Sequence, residues 1–374
     1  MLAIDDLDRL LAMDSIRRPY VRVTRDGTSV REAAYSCERN VQNVTVTDGL
    51  DPAKIQFLFR TGATVTWNSL NHVLPHLREL TERLGDRFAT RSDAIAFLTP
   101  VDKQGYAPHH DPVDVFVIHL HGKKEWRVWK TPETRRSDTG HYEMEELGEP
   151  EIKALLEPGD VLYLPYGTPH VATSRDQMSL HLSVVVQPKQ WREHLVDVVK
   201  RLVDDDPRFW SFVDLRDSAT ATAALAGLTR VLADELVTLD AAKEIPRLVR
   251  EGLTHNRDSR LRTTFGDMAR IDCLDEESPL CLSPDFEVTC GEVRDGRAEL
   301  KVLPVTDRSK VSTARTSVSA GSMWVPEQVA AIIANLGYGE PVTPAQLYPG
   351  VEGRRAVAAA QGLCRAGILD LGAR

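Results

Sequence analysis

At 374 residues, 42% hydrophobic and 27% charged, the chain has the balance of a globular protein and the length for two or three domains. Its 46 basic and 55 acidic side chains leave a net charge of −9, which argues against bulk nucleic-acid affinity and suits a cationic partner such as a basic protein tail. No apolar run approaches the ~20 residues that cross a bilayer, so no membrane role is expected.

The opening residues, Met1-Leu2-Ala3-Ile4-Asp5-Asp6-Leu7-Asp8, carry acids where a secretion signal needs cations. Five scattered cysteines without a C-x-x-C pair fit a reducing compartment, and a cytoplasmic protein is expected. Cys273, Cys281 and Cys290, spaced eight and nine residues apart, match no common zinc pattern.

Along the chain, residues 5–13 read as a short amphipathic helix and Arg18–Val23 as a strand. Residues 55–66 alternate like a second strand region broken at Gly62. From Asn68 to Leu84, Leu70, Val73, Leu74, Leu77, Leu80 and Leu84 recur at helical spacing. His72 and His76 sit four apart there, but without a carboxylate partner they read as surface or packing residues. Residues 92–190 are rich in β-branched residues and turns, as in a barrel whose mouth forms a ligand pocket. Within them, Glu143, Glu145, Glu146, Glu149 and Glu151 form an acidic insertion that reads as a solvated face. Residues 188–256 turn helical, with one stripe of Trp191, Leu195, Val198, Val199 and Leu202 and another of Leu225, Leu228, Val231, Leu232 and Leu236. Towards the C-terminus come a strand at 298–303, helices at 325–336, 343–347 and 351–366, and a last strand at 368–371. Helix, short helix, longer helix and strand is a winged-helix pattern. Without a dense basic stripe beside Arg354, Arg355 and Arg365, a scaffolding role is favoured over nucleic-acid binding.

The chemistry sits in Pro108-His109-His110-Asp111, answered by Pro165-Tyr166-Gly167-Thr168-Pro169-His170. On a strand, residues two apart point to one face, so His109 and Asp111 converge, and His170 adds a third ligand from another strand. Two imidazoles and one carboxylate on one side of a metal leave the opposite positions open, the facial triad of non-heme Fe(II) oxygenases. The flanks read Ala96-Phe97-Leu98-Thr99-Pro100, Gln104-Gly105-Tyr106-Ala107-Pro108, Asp114-Val115-Phe116-Val117-Ile118 and Gly122-Lys123-Lys124-Glu125-Trp126. Further matches are Leu58–Val65, Leu156–Pro165 and Ser179-Leu180-His181-Leu182-Ser183.

This run resembles the JmjC-type Fe(II)/2-oxoglutarate oxygenases, closest to the ribosomal oxygenases, the cupin-like ribosomal-protein hydroxylases. The specific motifs cover roughly residues 1–200. The resemblance implies an α+β protein: a double-stranded β-helix (cupin/JmjC barrel) with a helical dimerisation segment and a C-terminal winged-helix domain. The expected domains are 1–190 (catalytic), 191–260 (helical, dimerising) and 261–374 (winged-helix-like). Fe(II) would be held by His109, Asp111 and His170, with 2-oxoglutarate and dioxygen as co-substrates. Lys124, fifteen residues after His109, stands where the family places the base that holds the distal carboxylate of 2-oxoglutarate. Lys123 should point away by strand alternation, and Thr99 and Ser183 are candidate second hydrogen-bonders. His119 and His121 are expected to line the cavity without binding metal, and His181 to face the pocket or core. One departure is Ile95, where ribosomal oxygenases usually carry Asn.

The expected activity is hydroxylation of a side chain of a protein or peptide, with a basic ribosomal protein as the implied partner and a homodimer as the assembly. N-demethylation uses the same oxidant and differs in the bond presented. Two rivals are a tailoring hydroxylase of a peptide natural product and a non-catalytic nucleic-acid-binding regulator whose barrel is a sensor.

Overall fold

The structure is a computed structural model that describes residues 1–257, 264–283, 286–304, 321–337 and 340–372. The chain divides into two compact units, 1–260 and 261–374; the junction expected at 260 lies outside the described residues.

Helix α1 (Ile4–Leu11) carries Asp5 and Asp6 in its first turn, where the helix dipole favours acids, and buries Leu7 and Leu10. Strands β1 (Val21–Arg25) and β2 (Thr28–Ser29) form a hairpin, and β3 (Ser36–Val41) and β4 (Val44–Leu50) form another. The second was not anticipated from the sequence; its turn holds Gln42 and Asn43 at positive φ, as a two-residue hairpin turn requires.

Residues 55–66 depart from the expected strand. Helix α2 (Pro52–Arg60) takes the first half, because Asp51 accepts hydrogen bonds from the Ala53 and Lys54 amides and Pro52 occupies the first turn. Gly62, at φ +101, then turns the chain into β5 (Thr64–Trp67), buried along its length. The next helix also starts later than expected. A 3₁₀ turn at Leu70–His72 comes first, Leu74 is extended because a proline follows it, and α3 runs Pro75–Phe88.

The β-rich stretch contains β6 (Arg91–Thr99), β7 (His109–His110), β8 (Asp114–Val128), β9 (Gly140–His141), the short helix α4 (Met144–Leu147), β10 (Ile152–Leu156), β11 (Val161–Leu164) and β12 (His170–Gln187). All these strands pair antiparallel in the order β10-β8-β12-β6-β5-β1-β2, with β11 also on β8 and β7 bridging β12 and β9. The sheet curls into a half-barrel.

Both long strands change face midway. On β8, Val115 and Val117 line the same hollow as Lys124 and Trp126, which strict alternation would put on opposite faces. Gly122, at φ +71, absorbs the odd residue. On β12, His170 and Ala172 share the hollow with His181, Ser183 and Val185. The compensating irregularities are register shifts against β8 between Arg175 and Leu180 and between Leu180 and His181.

The outer face of the sheet presents Val21, Val65, Trp67, Ala94, Ala96, Leu180, Leu182 and Val184 to Leu7, Leu10 and Leu77 of the covering helices. Each such leucine contributes about 1.5–3 kcal/mol by leaving water. On the inner face, Val115, Val117, Trp126, Leu164 and Val185 form a smaller apolar cluster around the hollow. The helices thus brace one side of the sheet and leave the other free for a site.

Helices α5 (Trp191–Asp205), α6 (Ser218–Val237) and α7 (Ala241–Arg257) follow. α5 packs on α6, and α7 lies on α3 and β6, where a Cβ at Gly252 would come 1.9 Å from the Ala89 carbonyl oxygen. The second unit holds α8 (Thr264–Arg270), β13 (Leu280–Leu282), β14 (Phe286–Arg294), β15 (Arg297–Pro304), β16 (Gly321–Pro326), α9 (Glu327–Asn335), α10 (Pro344–Leu347), α11 (Gly353–Arg365) and β17 (Leu369–Leu371). β14, β15 and β16 form one sheet and β13 and β17 another, around a core of Leu280, Leu300, Ile333, Leu347, Leu363 and Ile368. Val325, expected in a helix, belongs to β16. Among the described residues no helix is long and apolar enough to cross a membrane.

Candidate active site

His109 and His170 are cross-strand partners on β7 and β12, with ring centroids 4.4 Å apart. Asp111 follows β7, its carbonyl accepting the Gly167 amide at 2.9 Å, and its Oδ2 lies 3.5 Å from His109 Nε2. The ligand atoms of these three residues lie within 4.8 Å of one another, and they are the one such group among the described residues. His110, between them, is buried on the other face, with Nδ1 2.7 Å from the Tyr142 hydroxyl.

Both imidazoles are held the same way. His109 Nδ1–H donates to the Ala107 carbonyl at 2.8 Å and His170 Nδ1–H to the Thr168 carbonyl at 2.9 Å. A carbonyl only accepts, so in the neutral form of each ring the lone pair is on Nε2. Burial, with His109 nearby, pushes His170 down to about 4, so it is neutral at pH 7. Burial would raise the Asp111 carboxyl, but the hydrogen bond and charge of His109 outweigh it and hold the group below its ordinary value. Against its burial, the Asp111 carboxylate and the Ala107 carbonyl raise the His109 pKa, so in the metal-free protein His109 Nε2 pairs with Asp111, and a metal would take the place of that proton. Two Nε2 atoms beside an ionised carboxylate fit a first-row divalent metal.

The hollow has a volume of about 600 Å³ including its open mouth. Deep in it, Lys124 is 3% exposed and has no carboxylate partner among the described residues; its Nζ lies 3.1 Å from Thr99 Oγ1 and 3.4 Å from His181 Nδ1. Burial lowers its pKa from 10.5 to about 7. A buried ammonium with only neutral acceptors fits an anionic ligand. Lys123 points outward to Glu157 at 2.6 Å. Ser183 lines the hollow, whereas Thr99 is fully buried behind Lys124, its hydroxyl accepting from Lys124 and, at 3.3 Å, from Thr64.

Several wall residues were not singled out from the sequence. Tyr106 lies in the quoted motif, lines the hollow and bonds Thr66 through its hydroxyl at 3.2 Å. Val115, Leu164, Ala172 and Val185 add apolar lining, beside Ile95, the departure noted in the sequence. Their signal was strand alternation, which the two face changes interrupt. His119 and His121 do not line the hollow: His119 is fully buried with Nε2 on the Gly122 carbonyl at 2.9 Å, and His121 is exposed. His72 lies beside Tyr20, away from the cluster.

Residues 72–194 match the JmjC domain family. The chain is 40% identical over 131 residues to a protein of Drosophila mojavensis named bifunctional lysine-specific demethylase and histidyl-hydroxylase NO66, covering 34% of this chain and 15% of that one. It is 34% identical over 163 residues to the protein of that name from Drosophila simulans, covering 41% and 19%. The chain thus spans less than a fifth of the length of these two relatives. The X-ray structure of Escherichia coli YcfD aligns with a TM-score of 0.51 at 15% identity, over 98% of this chain and 90% of that one. Residues 72–194 thus match a JmjC domain, and they lie in a cupin-like antiparallel half-barrel.

Proposed function

We propose that this chain is an Fe(II)- and 2-oxoglutarate-dependent dioxygenase that hydroxylates a side chain of a protein or peptide. One observation carries the reading: the cluster of His109, Asp111 and His170 opens into the same hollow as the carboxylate-free ammonium of Lys124. His109 Nε2, His170 Nε2 and an Asp111 oxygen would hold the iron. Iron so bound supplies the means to couple decarboxylation of 2-oxoglutarate to succinate with insertion of one oxygen atom of dioxygen into a C–H bond.

The chain's own residues bind, orient and exclude. The Ala107 and Thr168 carbonyls fix both imidazoles, so the ligand set does not reorganise when metal enters. Lys124 pairs with the distal carboxylate, and that pairing raises its affinity for a proton. The apolar wall of Ile95, Val115, Leu164 and Val185 keeps water from the reacting end. Among the described residues Asp111 is the one carboxylate lining the hollow, so a methylammonium would find no free counter-charge there, which favours hydroxylation over N-demethylation.

The half-barrel is read as part of the double-stranded β-helix of JmjC enzymes, followed by a dimerising segment over 191–260 and a winged-helix-like domain over 261–374. A basic ribosomal protein suits the net charge of −9 and the acidic insertion on and around α4. A cytoplasmic location goes with that substrate.

The test is succinate formation by the full chain with Fe(II), 2-oxoglutarate and dioxygen, together with mass spectra of ribosomal proteins from deletion and parent strains. A ribosomal protein lacking one oxygen atom in the deletion strain is the expected result. No iron-dependent succinate formation, with or without ribosomal protein, overturns the reading.

A further inference from the structure

Two neutral acceptors share the Lys124 ammonium. One is Thr99 Oγ1, whose place behind the lysine follows from its register on β6; the other is His181 Nδ1, on β12. An ammonium has no lone pair, so Nδ1 is the acceptor of that contact and the ring proton sits on Nε2. Burial first, and the lysine's charge second, hold His181 well below the usual histidine range, which keeps the ring neutral and able to accept.

The ring has little freedom. It lies parallel to Phe97, its cross-strand partner on β6, with centroids 4.7 Å apart and planes 5° apart. Trp126 meets it edge-on at 5.4 Å and 80°. The register shift between Leu180 and His181 aims the side chain into the hollow. Packing alone does not account for an imidazole here, because an apolar side chain would fill the space beside Phe97 and Trp126 without burying a polar atom. Thr99 and His181 take two of the three N–H groups of Lys124, which leaves one for a ligand in the hollow.

We propose that His181 is a positioning residue for the co-substrate: it fixes the Lys124 ammonium so that its remaining N–H meets the distal carboxylate of 2-oxoglutarate. This rests on the function proposed above. It assigns to His181 a role at the far end of the co-substrate, separate from the metal.

The test is calorimetric titration of the full chain, loaded with Mn(II), with 2-oxoglutarate and with pyruvate, a 2-oxo acid lacking the distal carboxylate. His181→Leu should bind 2-oxoglutarate about tenfold more weakly, the loss expected for one hydrogen bond to a charged group. Its affinities for Mn(II) and for pyruvate should match the parent's. His181→Asn, which keeps an acceptor near the Nδ1 position, should return to within about threefold of the parent. His181→Gln, whose oxygen reaches the Nε2 position instead, should not. If His181→Leu does not fold, the Asn and Gln variants carry the comparison. Equal losses for 2-oxoglutarate and pyruvate would reduce His181 to packing and overturn the inference. Lys124→Met separates the two levels. If it loses 2-oxoglutarate while His181→Leu binds like the parent, the inference falls alone. If it binds 2-oxoglutarate like the parent, the co-substrate assignment falls first.

Discussion

A Cβ on Gly122 would lie 2.0 Å from the carbonyl oxygen of Met178, so β8 and the irregular middle of β12 approach this closely only because residue 122 has no side chain. Gly122 also sits in the left-handed region, at φ +71. It is the point at which β8 changes face, turning Lys124 inward and Lys123 outward to Glu157.

Gly122→Ala should therefore cost about 2–4 kcal/mol, combining left-handed strain with a clash against backbone that cannot rotate away. It should also weaken 2-oxoglutarate binding more than Mn(II) binding, because Lys124 is two residues from the kink and the metal-site residues are on other segments. Urea denaturation and calorimetry measure the two effects. A variant as stable as the parent would show that the strands separate there at no cost.

His109→Ala, Asp111→Ala and His170→Ala should each abolish iron-dependent 2-oxoglutarate turnover and weaken Mn(II) binding at least about a hundredfold, since a facial triad has no spare protein ligand. Circular dichroism should match the parent's, because the half-barrel is held by its apolar faces. Full iron-dependent turnover by Asp111→Ala would remove the triad assignment.

The site was legible where chemistry is local in sequence. The i, i+2 spacing of His109 and Asp111 pointed to one face, and the matched flanks, with the turn before His170, brought in the third member from another strand. Lys124 needed the family pattern, because counting alternate residues from Val115 crosses Gly122 and gives the wrong face. In the fold, α2 was hidden by an alternating pattern that its cap, Asp51-Pro52, overrides. The β3–β4 hairpin carried a weak signal, since Gln42-Asn43 lacks the glycine that marks such turns most clearly.

Lys124 should make the ligand-free protein less stable at neutral pH than at alkaline pH. Its pKa is about 7 in the fold and 10.5 in the unfolded chain, so between these values the unfolded chain binds more protons. Its contribution to stability thus rises with pH from 7 towards 10.5, by about 1.4 kcal/mol per pH unit, and is lost as pH falls to 7. Lys124→Met removes this dependence. At pH 7 the variant should be more stable than the parent by a few kcal/mol, on the order of the buried-charge cost, while losing 2-oxoglutarate binding. Urea denaturation of both proteins from pH 7 to 9 checks this; parallel curves would mean that the lysine is solvated.

The helical segment should hold two copies of the chain together. None of the residues of α6 is fully buried, and Leu225 is 68% exposed, a large apolar cost for a chain on its own. Trp191 and Leu195 on α5, and Phe212 and Leu215 between the helices, are exposed as well. Leu228 and Leu232, on the stripe expected to form the interface, are already half-buried, and α6 packs on α5 in the same chain, so charges there would disturb one chain's own packing. The exposed set is the better probe. Phe212→Glu with Leu225→Glu should give a folded monomer, whereas the parent should scatter light as a symmetric dimer. A parent whose mass stays that of one chain across a wide concentration range would refute the dimer and leave this apolar surface for a different partner.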